Sequence, residues 1–302
     1  MVNGSACYKA RVLANGIALP ARTDVAILGG GFAGCATAWA LRARGVDAIV
    51  LEREASLGRY ASGRGAGLGR QLAEDDATSQ LVIRGAALLR TQFSAAWAAT
   101  GGVLCFDDAR HAQEYVARAA RLGVACEVLD RRGVLAHWPE VSELPLVSAL
   151  HVPSDGVIDA GALLQQFAAD AHVVYEAPVT AVVEGRVTTT RGEVAAQVIV
   201  DATGAWAGAL TGDPPLDTYK RHLFVLEATA RATTPYLWHL GREELYVRAD
   251  ADGILTSACD GEVTVPADQQ PDPEADARLR ARLAGASSTL AGAGVVRRWA
   301  CQ

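Results

Sequence analysis

Glycine at 29, 31 and 34, followed by a carboxylate at 52, is the residue set whose types and spacing carry chemistry most directly. Each glycine has its own task in a G-x-G-x-x-G turn. Gly29 permits the tight bend, Gly31 lets backbone approach a pyrophosphate, and Gly34 lets the following helix close on the preceding strand. Glu52 stands 23 positions after Gly29, about the distance at which a carboxylate reaches a ribose. A carboxylate there accepts two hydroxyl hydrogen bonds and repels a 2′-phosphate, which favours an adenosine diphosphate moiety without that phosphate.

Such a turn works only if a strand and a helix hold it. The apolar run Val25 to Leu28 reads as a buried parallel strand ahead of the turn. Cys35, Ala38, Trp39 and Leu41 give the next segment a helical face, Gly45 is a C′ glycine, and Val46 to Leu51 form a second strand ending in Glu52. The helix N-terminus, including Phe32 and Ala33, is thereby aimed at a diphosphate. A second apolar strand, Val198 to Val200, ends in Asp201-Ala202-Thr203-Gly204-Ala205-Trp206. Ligands of open α/β sheets lie across strand carboxyl ends, so Ala202, Thr203 and Gly204 are expected to meet the same dinucleotide.

Composition narrows the class. In 302 residues half are apolar and the formal net charge is −6, which offers no basic field for nucleic acid. No apolar run approaches the roughly 20 residues of a membrane helix. The first 22 residues lack a sustained apolar core followed by a cleavage site, so a cytoplasmic protein is expected. Cysteines at 7, 35, 105, 126, 259 and 301 and histidines at 111, 137, 151, 172, 222 and 239 are scattered, with no metal-ligand spacing. Reduced thiols and no metal are expected.

Between these strand ends, Arg59 to Gly69 holds four glycines with Ala61, Ser62 and Ala66. Such a run is either a loose loop or backbone laid along a flat ligand, and the upstream turn favours the second. Helical spacing covers 78 to 100 and 109 to 122, and Asp159 is an N-cap for a helix through Phe167. Segments 173–175, 179–183 and 186–190 have the β-branched density of a meander. Beyond the break at Pro214-Pro215, strands at 223–228, 245–248 and 253–256 read as antiparallel, and a helix is expected from 275 to 290.

Taken in order, Gly29-x-Gly31-x-x-Gly34-x-x-x-Ala38, Leu51-Glu52, Ala61-Ser62-Gly63-Arg64, Asp201 to Trp206, Tyr246-Val247-Arg248 and Arg298-Trp299-Ala300 resemble the D-amino-acid oxidase-like FAD family. That family includes glycine oxidase, sarcosine oxidase and D-amino-acid dehydrogenase. The resemblance implies an α/β fold: a Rossmann-type FAD-binding domain, 22–105 and 150–212, interleaved with an antiparallel-sheet α+β substrate domain, 106–149 and 213–302. It implies FAD as cofactor. Glu52, with Arg53 beside it, holds the ribose, the 29–34 turn the diphosphate, and Ala61, Ser62, Arg64, Gly65 and Ala66 the ribitol and ring edge. Val179 meets adenine through its backbone, and Ala202, Thr203 and Gly204, with Trp206, take the ribityl–phosphate side.

The activity implied is oxidation of the C–N bond of a small amino acid or secondary amine, by hydride transfer to flavin N5 and imine hydrolysis. Arg248, or in second place Arg242, pairs the substrate carboxylate, and Tyr246 closes the pocket. Family members continue past Trp299-Ala300, so a C-terminal segment or a partner chain is expected to complete the flavin site. Of the two lysines, Lys9 precedes the fold and Lys220 is not placed beside flavin N5 by any motif. The competing readings are a partner-dependent flavin-binding subunit or remnant without activity, and an NAD-dependent dehydrogenase.

Overall fold

The computed structural model describes residues 18–210 and 216–302. Two sheets divide the chain between them. The run from β1 (Arg22–Leu28) through α1 (Phe32–Arg42) to β2 (Ala48–Leu51) is the expected strand–helix–strand unit. One helical turn, α2 (Ala61–Arg64), and a two-residue strand, β3 (Leu68–Gly69), follow. Next come α3 (Asp76–Gln92), the short β4 (Trp97–Ala98), β5 (Gly102–Phe106), α4 (Ala109–Leu122), β6 (Glu127–Leu129), α5 (Arg131–His137) and β7 (Ser148–Val152). The chain then returns through β8 (Gly156–Ile158) and α6 (Ala160–Ala168) to β9 (His172–Val174), β10 (Val179–Val183), β11 (Arg186–Thr189) and β12 (Gly192–Asp201).

The remainder builds the second sheet from β13 (Thr218–Leu226), β14 (Tyr236–His239), β15 (Leu245–Asp250), β16 (Gly253–Ser257) and β17 (Glu262–Thr264). It closes with α7 (Ala275–Ala284), α8 (Ser288–Gly292) and β18 (Val295–Cys301).

The first sheet has the order β10-β11-β12-β1-β2-β9, with β12, β1, β2 and β9 parallel. Its central strands are apolar because both faces are covered. Val25, Ile27 and Val50 pack toward Cys35 and Ala38 of α1 and Leu164 of α6, whereas Ala26, Leu28, Ile49 and Leu51 pack on the opposite face with Val187 and Val194. The chain leaves β1 toward β2 on one side and meets β12 on the other. This makes the carboxyl ends of β1 and β12 the topological switch point of the sheet.

The second sheet runs β17-β13-β16-β15-β14-β5-β7-β6, with β18 also paired to β13. It is antiparallel except for the β5–β14 pair. Helices α7 and α8 bury Leu279, Leu283 and Leu290 against one face. A third, three-stranded sheet, β3-β8-β4, lies on the segments that pass between the two larger ones.

Several expectations are corrected. The domain limits 105/106 and 149/150 fall inside β5 and β7, which both belong to the second sheet, so the passages between sheets lie near 98–102 and 152–156. The limit at 212/213 and the Pro214-Pro215 break lie outside the described residues, as do Lys9 and Cys7. Segment 173–175 is not part of a meander, because β9 pairs parallel with β2. Trp97 leaves the helix expected over 78–100, since α3 stops at Gln92. The helix expected over 275–290 is two helices, separated at Gly285 and restarted by Ser287, whose hydroxyl accepts from Leu290 N at 3.0 Å. The N-cap at Asp159 is as expected, accepting from Ala162 N at 2.9 Å.

No described helix is long and apolar enough to cross a membrane. Among the described residues the five cysteines are free, and no His, Cys, Asp or Glu cluster is fit to hold a metal.

Candidate cofactor and substrate site

The carboxyl ends of β1, β2 and β12 meet with little room between them. Gly29 N donates to Leu51 O and Ala202 N to Leu28 O, both at 2.9 Å, so the two remote glycine-bearing segments are adjacent. Gly29 has φ +103°, and a Cβ on it would lie 2.5 Å from Ala202 O. A Cβ on Gly34 would lie 1.9 Å from Gly29 O, which is the close helix–strand packing expected of the third glycine. Helix α1 begins at Gly31 with no side-chain cap and no acid in its first turn. Its terminal N–H groups are therefore left without a cap from its own first residues, and Phe32 N donates to Ser62 Oγ at 2.9 Å.

Glu52 is 8 % exposed at the rim of this turn. Its Oε2 accepts from Gly30 N at 2.7 Å and its Oε1 from Glu54 N at 2.8 Å. Burial pushes its pKa up, and these two backbone N–H groups pull it back. A carboxylate oxygen has two acceptor positions, so each keeps one for a hydroxyl. This pair of acceptors fits the diol of a ribose.

The neighbouring side chains pack beside Glu52. The Arg53 guanidinium lies 3.8 Å from the Trp206 ring centroid and 4.8 Å from that of Tyr60, while Tyr60 OH donates to Glu54 Oε1 at 2.5 Å. Ala177 N donates to Glu52 O at 2.9 Å, which brings the start of β10, with Val179, alongside. At the end of β12, Asp201 accepts from Thr203 N and Oγ1 at 3.0 and 2.6 Å and from Gly208 N at 3.1 Å. The Thr203 hydroxyl is thus spent on holding the turn. Gly204, with φ +61°, is open, and a Cβ there would meet nothing within 4 Å.

The glycine-rich run is neither loose nor simply laid on a ligand. A Cβ on Gly63 would lie 2.3 Å from Gly58 O, one on Gly67 2.4 Å from Ile158 O, and one on Gly69 2.4 Å from the Trp97 ring. These glycines therefore serve packing within the protein. Gly65 alone of the run's glycines has no atom closer than 3.8 Å to such a Cβ. Ser62 faces the α1 N-terminus, and Arg64 points away from it, to Asp268.

Above the run lies the second sheet. Leu223, Val225, Tyr246 and Leu255 pack with Ala66, Leu68, Trp238 and Trp299 in one cluster. Burial raises the Tyr246 phenol well above its ordinary pKa, so it is neutral. Arg248 donates through Nε to Ala66 O and through Nη1 to Ala249 O, both at 2.7 Å, with Asp250 3.3 Å from Nη1. It fastens the run to the sheet. Arg242 is exposed and meets Asp107 only through its backbone N–H. Lys220 is paired with Asp272 beside Arg278 and His222.

One residue of this face escaped the sequence reading. Arg70 lies 4.4 Å from the Trp238 ring centroid, itself in edge contact with Tyr246 at 5.8 Å. Its Nη2 donates to Glu74 at 2.7 Å, whereas Nη1 is buried without a hydrogen-bond partner. The signal available in the sequence was an arginine closing a glycine-rich run; its Trp238 partner was not visible.

Fold and site together are those of a Rossmann-type α/β domain beside an antiparallel sheet. The chain belongs to the DAO family of FAD dependent oxidoreductases, whose family model matches residues 24–302. Human mitochondrial sarcosine dehydrogenase is 27 % identical over 221 residues, 64 % of this chain and 24 % of that protein. The chain thus spans about a quarter of the length of the curated relatives it matches first. Among solved structures, L-proline dehydrogenase from P. horikoshii has a TM-score of 0.80 at 21 % identity, over 94 % of this chain and 82 % of that one. Glycine oxidase from Geobacillus kaustophilus has a TM-score of 0.77 at 21 % identity, over 93 % of this chain and 82 % of that one.

Proposed function

We propose that the chain binds FAD and serves oxidation of the C–N bond of a small amino acid or secondary amine. The observation that carries this is the contact between the Gly29 and Ala202 strand ends, with the Glu52 carboxylate holding spare acceptor positions beside an uncapped helix N-terminus. Glu52 would hold the adenosine ribose, the 29–34 turn and Ala202 to Gly204 the diphosphate and its ribityl side, and Ala61 to Ala66 the ring edge. When bound, the flavin supplies a two-electron acceptor for hydride from the carbon bearing nitrogen, and water then hydrolyses the imine.

The chain's own residues position the substrate. Arg70 and Arg248 would pair the substrate carboxylate, and the apolar Trp238–Tyr246 surface would exclude water from the C–H bond. Lys220, neutralised by Asp272, contributes no free cation there.

Anaerobic mixing of the FAD-loaded chain with glycine, N-methyl amino acids and D- and L-amino acids tests the reading. Loss of the roughly 450 nm flavin band with at least one of them is expected. Loaded protein that none of them bleaches would contradict it.

A further inference from the structure

We propose that Asp268, on the loop between β17 and α7, is a positioning residue that latches the Arg59–Ala66 turn into its cofactor-ready shape; this rests on the flavin reading above. The loop belongs to the second sheet, yet its carboxylate reaches the turn of the nucleotide domain. Asp268 Oδ2 lies 2.8 Å from Arg59 Nη2 and its Oδ1 2.5 Å from Arg64 Nη2. Arg64 Nη1 donates to Gln269 O and to Ala300 O, both at 3.3 Å, and Arg64 Nε to Arg59 O at 3.0 Å. In return Trp299 Nε1 donates to Arg64 O at 2.8 Å. The loop is itself anchored, because the buried Gln269 donates to Val265 O at 2.9 Å and to Gln302 Oε1 at 3.1 Å.

The opposite side of the same helical turn carries Ser62, which accepts from Phe32 N at the α1 N-terminus. Asp268 and the diphosphate cradle therefore hold one four-residue helix from two sides. An exposed ion pair alone is weak and screened by salt. Here one carboxylate gathers two guanidiniums, and the Arg64 side chain is only 21 % exposed and also holds two carbonyls, so the contacts act as a network. Without the carboxylate, the two arginines lose their common anchor and repel each other. The turn then loosens, and Ser62 with it.

The test compares the full chain with Asp268→Asn, Asp268→Ala and Asp268→Glu. Hydrogen exchange of peptides covering 59–66 is read without cofactor, and FAD release is followed by flavin fluorescence after dilution. Asp268→Asn and Asp268→Ala are expected to exchange faster in 59–66 and to release FAD about five- to tenfold faster, with little change in association. Asp268→Glu is expected to restore most of the slow release. Raising salt from about 0.05 M to about 0.5 M is expected to speed release from the unaltered chain but not from Asp268→Asn. Unchanged exchange and release in Asp268→Asn would overturn the latch. Should the unaltered chain take up no FAD while Asp268→Asn still loosens 59–66, the flavin reading fails and a latch on the turn stands. Equal loosening throughout the chain would assign Asp268 to general stability and overturn the positioning role.

Discussion

Glu52 is fixed by backbone on one side of its carboxylate. Two N–H donors hold it against the turn and leave it acceptor capacity for two hydroxyls. Glu52→Ala is expected to weaken FAD about 10- to 100-fold, the value of one or two hydrogen bonds to a charged group, as measured by calorimetric titration. Arg70 makes a different demand. Arg70→Ala is expected to raise the KM for an amino acid about 10- to 100-fold with a smaller effect on kcat, while an amine lacking a carboxylate is oxidised as before; equal loss for both substrates would remove it from carboxylate binding. Glu52 was legible in the sequence because its turn, helix and strand are contiguous. Arg70 was not, because Trp238 reaches it from a distant part of the chain.

At the scale of elements, the Arg59–Gly69 segment is best explained by what its glycines touch. The Cβ positions of Gly63, Gly67 and Gly69 are filled by Gly58, Ile158 and Trp97, so packing within the protein accounts for these three glycines. Gly63→Ala would set a Cβ against Gly58 O and displace α2, with Ser62 leaving Phe32 N. Its expected signature is weaker FAD binding, by at least tenfold in the same titration, with a thermal midpoint lowered by only a few degrees. Composition announced such a run but not its one-turn helix, since contacts across segments decide that. The same limit applies to β9, whose Val173 and Val174 fit a meander as well as the parallel pairing they adopt. The break after α7 was written in Gly285 and the Ser287 cap, a local signal that helical periodicity outweighed.

At the scale of the molecule, Asp155 ties the segment after β3 to the second sheet. This buried carboxylate accepts from Gln71 N at 3.0 Å and Gln71 Nε2 at 3.1 Å on one side and from Tyr236 OH at 2.6 Å on the other. Burial raises its pKa from 3.8 to about 6, against the pull of these hydrogen bonds. The folded chain therefore binds a proton more tightly than the unfolded one. The cost of ionising Asp155 is absent below about pH 4, grows through the window and reaches about 3 kcal/mol above about pH 6. Stability of the chain relative to Asp155→Asn is thus expected to fall between about pH 4 and pH 6, read from urea midpoints. A constant difference across that range would mean Asp155 is ionised throughout.

The two distant strand ends are expected to grip the adenosine diphosphate half of a flavin dinucleotide. Calorimetric titration of the cofactor-free chain with FAD, FMN and NADH tests it most directly. One FAD per chain is predicted, bound at least about 100-fold more tightly than FMN, which lacks the adenosine that Glu52 and the strand ends would hold, and more tightly than NADH, which keeps the adenosine diphosphate but lacks the flavin. Equal affinity for FMN and FAD, or tighter binding of NADH, would contradict the account.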